Sequence, residues 1–551
     1  MKKILSSILL AAPLMLSAQG AIDAYSVSQP DLKGTARYMS MAGAFGALGG
    51  DLSAINSNPG GIGVYRSSDL GITFNLDLQS VESTSKGVTS NVEQTKFTVN
   101  NFGYVGAFRM DSEIMPFVNF GISYNRPVSY NRRYSGKISD LNRSLSNYVA
   151  NISNAQGYNS DILSFYEEGG EVLYDPYIDS PCPQWLSIMA YNSFLINPQT
   201  FDANGIGSNF TGLMNANTRG YSEYEVIEEG GIDEFNINLG GNLADILYWG
   251  IGVGVSNMDQ NRYTYYGEAL TGATVPNQDE TALENDGTAS FGLENSLNTS
   301  GNGWNFKFGV ILKPINELRI GASIHTPTYW SLTDNIFSSM NYAVETSDGG
   351  CLYEGTEDAN AGYIYENSYK IRTPWKCNLS VATILGTKGI ISFDYERVAY
   401  NDMKVEYYDY DFNTYYEDNA VKNDIGSYYK AMNIYRVGAE YRVSPQFSLR
   451  LGYAYYSSPV NDDVLNGNVS VNTAGTMPAY TLDRTTEYIT GGFGYRYKGF
   501  YTDFAYVHKS RESEYKAFSP EMTASKAMIS SPGASLKDNN NQVVWSIGYR
   551  F

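Results

Sequence analysis

The side chains that could carry chemistry are few. The chain has two histidines, His325 and His508, and three cysteines, Cys182, Cys351 and Cys377. A histidine facing a cavity could serve as an axial haem ligand. Ser323 and His325 share one strand face and have the composition of a hydrolytic dyad. No third group is evident to orient such a histidine, so a structural hydrogen bonder is the better reading and no enzyme activity is expected. The cysteines lack metal-ligand spacing. Cys182 and Cys351 fall in predicted long loops and are the pair an oxidising compartment could join, whereas Cys377 falls on a strand face expected to touch lipid. Gly43, Gly46 and Gly49 depart from the spacing of a nucleotide-binding loop, and no strand precedes them. Neither a cofactor nor a metal is expected.

These residues sit on strands, and the strands are what the sequence displays best. Val543, Trp545, Ile547, Tyr549 and Phe551 are apolar or aromatic, with Val544, Ser546, Gly548 and Arg550 between them. Period two sends the first set to one sheet face. Leu70, Ile72, Phe74, Leu76 and Leu78 repeat the pattern, as do Trp249, Ile251, Val253 and Val255, and Phe306, Phe308 and Val310. About fourteen such segments fit the roughly 10-residue span of a transmembrane strand. Short links, such as Gly241–Ala244, Gly386–Lys388 and Lys498–Gly499, alternate with long connections at 126–231, 260–301, 331–367 and 400–430. That is the layout of periplasmic turns and extracellular loops. The expected fold is therefore all-β, a transmembrane antiparallel β-barrel of about 14 strands. The same phase turns Val253 and Phe308 toward lipid and Gly252, Lys307 and His325 toward the lumen. The closing aromatics, Tyr549 and Phe551, read as an assembly signal for the barrel-assembly machinery.

The first residues supply the compartment. Lys2 and Lys3 precede an apolar run from Ile4 to Leu16, and Ser17-Ala18 places small residues before Gln19. This is the pattern of a secretory signal peptide over residues 1–18, too short to span a bilayer as a helix. With 58 acidic against 38 basic residues the net charge is −20, which argues against nucleic acid as a partner, because phosphate binding needs clustered Lys and Arg. Forty-seven tyrosines and 54 glycines suit strands with one apolar and one polar face. The expected location is the cell outer membrane, reached by signal-peptide export, among outer-membrane lipids and lipopolysaccharide.

Residues 19–67 precede the first strand and read as a hatch inside the lumen, leaving 68–551 for the barrel and its loops. Residues 34–63 are dominated by small side chains and lack strand alternation. Asp51 can cap a short helix through Ile55, stopped at Asn58-Pro59. A Gly/Ala segment, then an acidic-Leu-Ser-Ala run, then Asn-Pro ahead of a fourteen-strand barrel resembles the FadL-like long-chain fatty acid transporters. Some relatives of that family carry a haemin-receptor label. Its hatch motif is Asn-Pro-Ala, and here Asn58, Pro59 and Gly60 stand in those places, with Gly departing at the third. Lys313-Pro314 leading into Leu318–Ser323, and Phe393–Glu396, have a similar look. The resemblance implies passive uptake of hydrophobic molecules, chiefly long-chain fatty acids. Extracellular loops capture the ligand, a pocket against the hatch holds it, and release follows hatch movement and a lateral opening in the wall.

The connection 126–231 is the most unusual stretch. Leu141–Ile152 predicts a short amphipathic helix. Trp185, Leu186, Met189, Phe194 and Leu195 crowd apolar side chains into a loop that should be wet, which fits either a capture surface or a loop packed on itself. Between Asp161 and Glu234 stand thirteen acids and one base, Arg219, a balance that repels a free carboxylate. The competing readings are a surface-display or adhesion barrel and a haemin-binding receptor. A general porin would want an open charged constriction, and a TonB-coupled receptor a larger plug. The substrate stays open among a fatty acid, another hydrophobic compound and haem.

Overall fold

In the computed structural model the chain closes into an antiparallel barrel of fourteen strands. The structure describes residues 20–551 apart from 170, 180–183, 351, 410–412, 474 and 523–527. The expected signal peptide and the Cys182–Cys351 pair lie outside the described residues. The wall strands, numbered here 1 to 14, follow in sequence order. Strands 1 to 5 are Asp69–Ser85, Val88–Arg109, Phe117–Ser129 continuing as Arg132–Ile138, Arg219–Leu243 and Leu247–Pro276. Strands 6 to 9 are Leu283–Ile315, Leu318–His325 continuing as Tyr329–Glu345, Tyr365–Arg372 continuing as Lys376–Leu385, and Gly389–Val398 continuing as Lys404–Asp409. Strands 10 to 14 are Met432–Arg442, Phe447–Tyr456, Tyr480–Tyr497, Phe500–Lys516 and Gly533–Arg550. Strand 14 pairs with strand 1 from Arg550↔Asp69 to Ser535↔Thr84 and so closes the wall. Closure leaves neither the first nor the last strand unpaired, and this lets a sheet satisfy its backbone in hydrocarbon. Both ends of the wall meet where the Phe551 amide donates to the Ser68 carbonyl at 3.1 Å and the Ser68 amide returns the bond at 3.0 Å.

The faces divide as the alternation predicts. Val253, Phe306 and Phe308 are exposed on the outside, while Gly252, Lys307 and Ser256 are buried inside. Cys377 is exposed on the outer face. The outward apolar band ends sharply on strand 5, where Asn257, Asp259 and Asn261 follow Val255 in the same phase. Trp304 and Tyr329 stack at that level with ring centroids 4.6 Å apart, an aromatic rim at the height of the headgroups. Among the described residues no helix is long and apolar enough to cross a membrane.

Past that rim the strands continue. Strands 5 and 6 stay paired from Leu247↔Leu312 to Pro276↔Leu283, so most of the expected loop 260–301 is a protruding hairpin. Strands 1 and 2 likewise stay paired up to Ser85↔Val88. Outside the bilayer a strand needs no apolar outer face, so pairing persists after the two-residue hydrophobic signal has gone.

The extended strands carry a head. Between strands 3 and 4 the chain adds helices Leu145–Ala155 and Trp185–Asn192 and a hairpin of Ile196–Phe201 with Gly207–Gly212. These pack on Tyr224, Tyr266, Phe291 and Met340 of strands 4 to 7 in a core of their own. The helix expected at 141–152 runs over Leu145–Ala155 because Ser144 caps it, its hydroxyl accepting from the Ser146 amide at 3.1 Å. Beneath the head, residues 20–67 lie within the barrel as helices Ala21–Ser28, Ala36–Ser40 and Ala54–Ser57 and a 3-10 turn, Pro59–Val64.

Candidate functional site

The site is the contact between this N-terminal segment and the inner wall, with the cavity above it. The helix expected from Asp51 begins at Ala54, and Asp51 still serves its start: Oδ1 accepts from the Ser53 amide at 2.9 Å, and the carboxylate also takes the Thr35 hydroxyl. Asn58 ends the helix fully buried. Its Nδ2 donates to the carbonyls of Gly46, at 2.6 Å, and of Val310 on strand 6, at 3.1 Å, while its Oδ1 accepts from the Gly60 amide at 2.9 Å. One side chain thus ties two parts of the segment to the wall and opens the turn that Pro59 enters with its fixed φ. A Cβ on Gly60 would stand 2.9 Å from the Val310 Cα. The third motif position is therefore glycine because backbone presses on backbone there.

Inward glycines of the wall make the same allowance around the ring. A side chain at Gly250 or Gly309 would strike Asn58 or Pro59, one at Gly321 would strike Gly46, and one at Gly438 or Gly452 would strike Met41. Polar bonds complete the seat. The Asp394 carboxylate accepts from the Gly46 amide at 2.8 Å, and Asn119 donates to the carbonyl of Ile62 at 2.6 Å. Arg37 reaches Glu440, which also holds Arg450 at 2.6 Å, and Arg450 reaches Asp503 at 2.5 Å. Glu440, Arg450 and Asp503 are buried and Arg37 is half-buried, and all four are paired, as charges away from water must be.

Above the segment lies a cavity of about 200 Å³ whose wall includes Val128, Ile232 and Trp330 together with charged groups. Lys307, His325 and Lys376 fall on one cross-strand row of strands 6, 7 and 8 and line it. Lys307 pairs with Glu234 at 2.5 Å, and Arg436 pairs with Glu396 at 2.7 Å. Lys376 has no ion-pair or hydrogen-bond partner among the described residues. His325 Nε2 and the Ser323 hydroxyl both meet the Ser57 carbonyl, at 3.0 and 2.7 Å. The two side chains that suggested a dyad both anchor the N-terminal segment, and no bond joins them to each other among the described residues. His508 lies on strand 13, 2.9 Å from Asn541.

The same cavity touches a break in the wall. Strands 2 and 3 pair only from Arg109↔Phe117 to Asn101↔Asn125. Above that, strand 2 pairs with strand 1 alone and Arg132–Ile138 pairs with strand 4 alone. The register of strand 3 on strand 4 shifts between Asn125 and Val128, around Pro127, which has no amide hydrogen to give. Arg126 is clamped beside it by both oxygens of Asp233, at 2.8 and 2.9 Å.

The apolar cluster of the long connection lies elsewhere. Trp185, Leu186, Met189 and Leu195 are buried and Phe194 is half-buried, all within the head core. They do not form the exposed capture surface that their crowding allowed, because the extended strands come up to cover them. Tyr549 and Phe551 are exposed at the end of strand 14, their rings 6.0 Å apart. Sequence reading passed over Lys376, Asp394 and the Arg37–Glu440–Arg450 chain as functional groups. The signal available was charge in the inward phase of strands otherwise built of small residues.

No curated protein matches the chain. Its fold is similar to those of a Pseudomonas aeruginosa FadL homologue, the Pseudomonas putida toluene transporter TodX and the Ralstonia pickettii toluene transporter TbuX, at 13, 12 and 14% identity and TM-scores of 0.49, 0.44 and 0.42. Each likeness covers 95% of this chain and 99–100% of the other. A family model described as outer membrane protein transport protein (OMPP1/FadL/TodX) matches residues 215–476, from the start of strand 4 to beyond strand 11. The family matched across those strands is therefore the one that the hatch segment resembles, the FadL/TodX group of outer-membrane transport proteins.

Proposed function

We propose that the protein is a passive outer-membrane channel for hydrophobic molecules, with long-chain fatty acids as its main substrates. The observation that carries this reading is the row Lys307–His325–Lys376 facing a cavity that also presents Trp330 and Ile232. A carboxylate would sit at the unpaired Lys376 ammonium while its chain lay on the apolar side. The break between strands 2 and 3 borders the same cavity, so release runs sideways through the wall near Pro127. Asn58, Pro59 and Gly60 hold the hatch that closes the straight path. Export by the signal peptide, insertion by the barrel-assembly machinery through Tyr549 and Phe551, and a setting of outer-membrane lipid and lipopolysaccharide belong to the same proposal.

The test is uptake by cells carrying wild type, Lys376→Met or an empty vector at matched surface expression, with oleate and a neutral long-chain alcohol as probes. Wild type should import oleate, and the variant should lose oleate uptake several-fold while keeping the alcohol. Wild type no better than the empty vector for both probes refutes transport. The size of the head, with its own core on strands 4 to 7, supports surface display as the second reading, and that reading would then lead.

A further inference from the structure

The outer surface of the head carries a trough that the transport reading does not use. Beyond the aromatic rim, strands 4 to 7 lie side by side, and their outward residues fall into register. One row is Glu223–Gly267–Gly292–Asn341 and the next is Tyr221–Ala269–Ser290–Ala343. In these rows the two central strands offer only small residues, so they form a floor, flanked by Tyr221 and Glu223 on strand 4 and by Asn341 on strand 7. The space between them is about 460 Å³. Gly267 lies ten residues past Asn257, where the apolar band of strand 5 has already ended. At about 3.3 Å per residue that is some 30 Å along the strand, clear of hydrocarbon.

Tyr265 sets the chemistry. Its ring lies over Gly267 and Gly292, since a Cβ on the first would meet its hydroxyl end at 2.5 Å and one on the second would meet Cε2 at 2.9 Å. With one face on the sheet, the ring turns the other outward and forms a flat aromatic platform. Around it stand the Glu223 and Glu294 carboxylates, the Asn341 amide and the Ser290 hydroxyl. These are acceptors and donors suited to hydroxyl groups. A flat apolar face ringed by hydroxyl-binding groups is the chemistry that holds a sugar ring.

Charge decides which sugar. Residues 144–218, 263–306 and 326–369 contain seven, six and seven carboxylates and no Lys or Arg. These twenty negative charges equal the net charge of the whole chain, −20. The nearby bases are engaged: Lys137 by Glu223 at 3.3 Å and the Tyr221 ring at 3.4 Å, Arg133 by Glu225 at 2.6 Å, and Arg219, at the far end of the trough, by the carbonyls of Ala216 and Thr218. A phosphorylated or uronic glycan would be repelled, whereas a neutral one donates its hydroxyls to carboxylates at no Coulomb cost. We infer that the trough over Tyr265, between strands 4 and 7 of the head, is a binding site for a neutral oligosaccharide. The site is independent of the channel.

The test uses the full chain in a sugar-free detergent, titrated calorimetrically with maltohexaose, cellohexaose, chitohexaose and hexagalacturonate. At least one neutral hexasaccharide should bind and hexagalacturonate should not. Tyr265→Ala removes the platform, and Ser290→Phe fills the trough while leaving the platform in place. Each should weaken binding at least tenfold, and Tyr265→Phe should retain it. Retained heat resistance of the barrel and an unchanged proteolytic pattern of the head show that the variants fold. No binding by any neutral probe, equal binding of hexagalacturonate, or binding unmoved by Ser290→Phe would overturn the assignment.

Discussion

The imidazole of His325 stands 3.0 Å from the carbonyl oxygen of Ser57, so the wall reaches into the lumen and holds the last turn of a hatch helix. Ser323 takes the same carbonyl from the next inward position of its strand. Replacing both with Ala removes two donors from one half-buried acceptor and leaves the ladder of strand 7 intact. The hatch should become cleavable near Ser57 by an added protease at concentrations that leave wild type whole, while the barrel keeps its heat-resistant migration. Equal protection of both proteins would show that the anchors are dispensable.

Asn58 should be worth more than its neighbours. Asn58→Ala deletes three hydrogen bonds and leaves the buried Gly46 carbonyl and Gly60 amide without their side-chain partner, a loss on the order of 1–3 kcal/mol in the seating of the hatch. Hydrogen exchange should rise over residues 46–64 and remain slow in the wall. A uniform rise across hatch and wall would instead mean that the two unfold together.

Gly452 tests the close fit. A side chain there would strike the backbone at Met41 and Ala42. Gly452→Val should cost about 1–3 kcal/mol by overpacking, and most of that cost, the part not owed to Thr490 of strand 12 at 2.7 Å from the added Cβ, should be lost in a chain lacking residues 20–67. If the penalty survives that deletion, the strain lies in the wall.

On the lipid face, Val253→Arg should cost ~2–4 kcal/mol near the bilayer midplane. Lys307→Arg, one strand away but inward and beside Glu234, should be milder. Unfolding in denaturant from lipid vesicles reads both, and equal damage would invert the face assignment.

The head should respond to pH through Glu268. Its carboxylate accepts from the Leu145 amide and the Tyr266 hydroxyl, each at 2.8 Å, at the start of a head helix. Burial, only partly offset by these bonds, pushes its pKa from 4.5 up to about 7. A folded value raised above the unfolded one means that the folded head holds its proton longer. The stability this gives is full below pH 4.5 and is lost as pH rises through 7. The head should therefore melt higher at pH 5 than at pH 8, by on the order of 1–3 kcal/mol, and Glu268→Gln should flatten the dependence. A variant with the wild-type slope would place the titration elsewhere.

The parts legible in the sequence were those that lipid dictates. Val253, Phe308 and their partners must be apolar on alternate positions, so strand number, order and facing could be read from the pattern. Above the rim that compulsion ends. Asn257, Asp259 and Asn261 continue strand 5 without the alternation that marks a strand, and so a thirty-residue strand read as a short one with a loop. The hatch was visible through composition and the Asn58-Pro59 pair, but its seat was not. The seat depends on where Gly250, Gly309 and Gly452 face one another across the lumen, and neighbours in space leave no spacing in the chain. Trp185 and Leu195 showed the converse difficulty, since apolar crowding alone does not say whether a cluster is open or covered.

The ring of close approaches also sets an order of events. Strands 5, 6, 7, 10 and 11 each leave room for the hatch backbone and for nothing wider, and strands 1 and 14 seal the circle. A side chain at any of these five places would meet residues 20–67, so seating and closure are expected as one event, with the segment as the mandrel on which the sheet is wound. A hatch peptide supplied after closure should fail to dock, whereas the same peptide present during refolding should be retained.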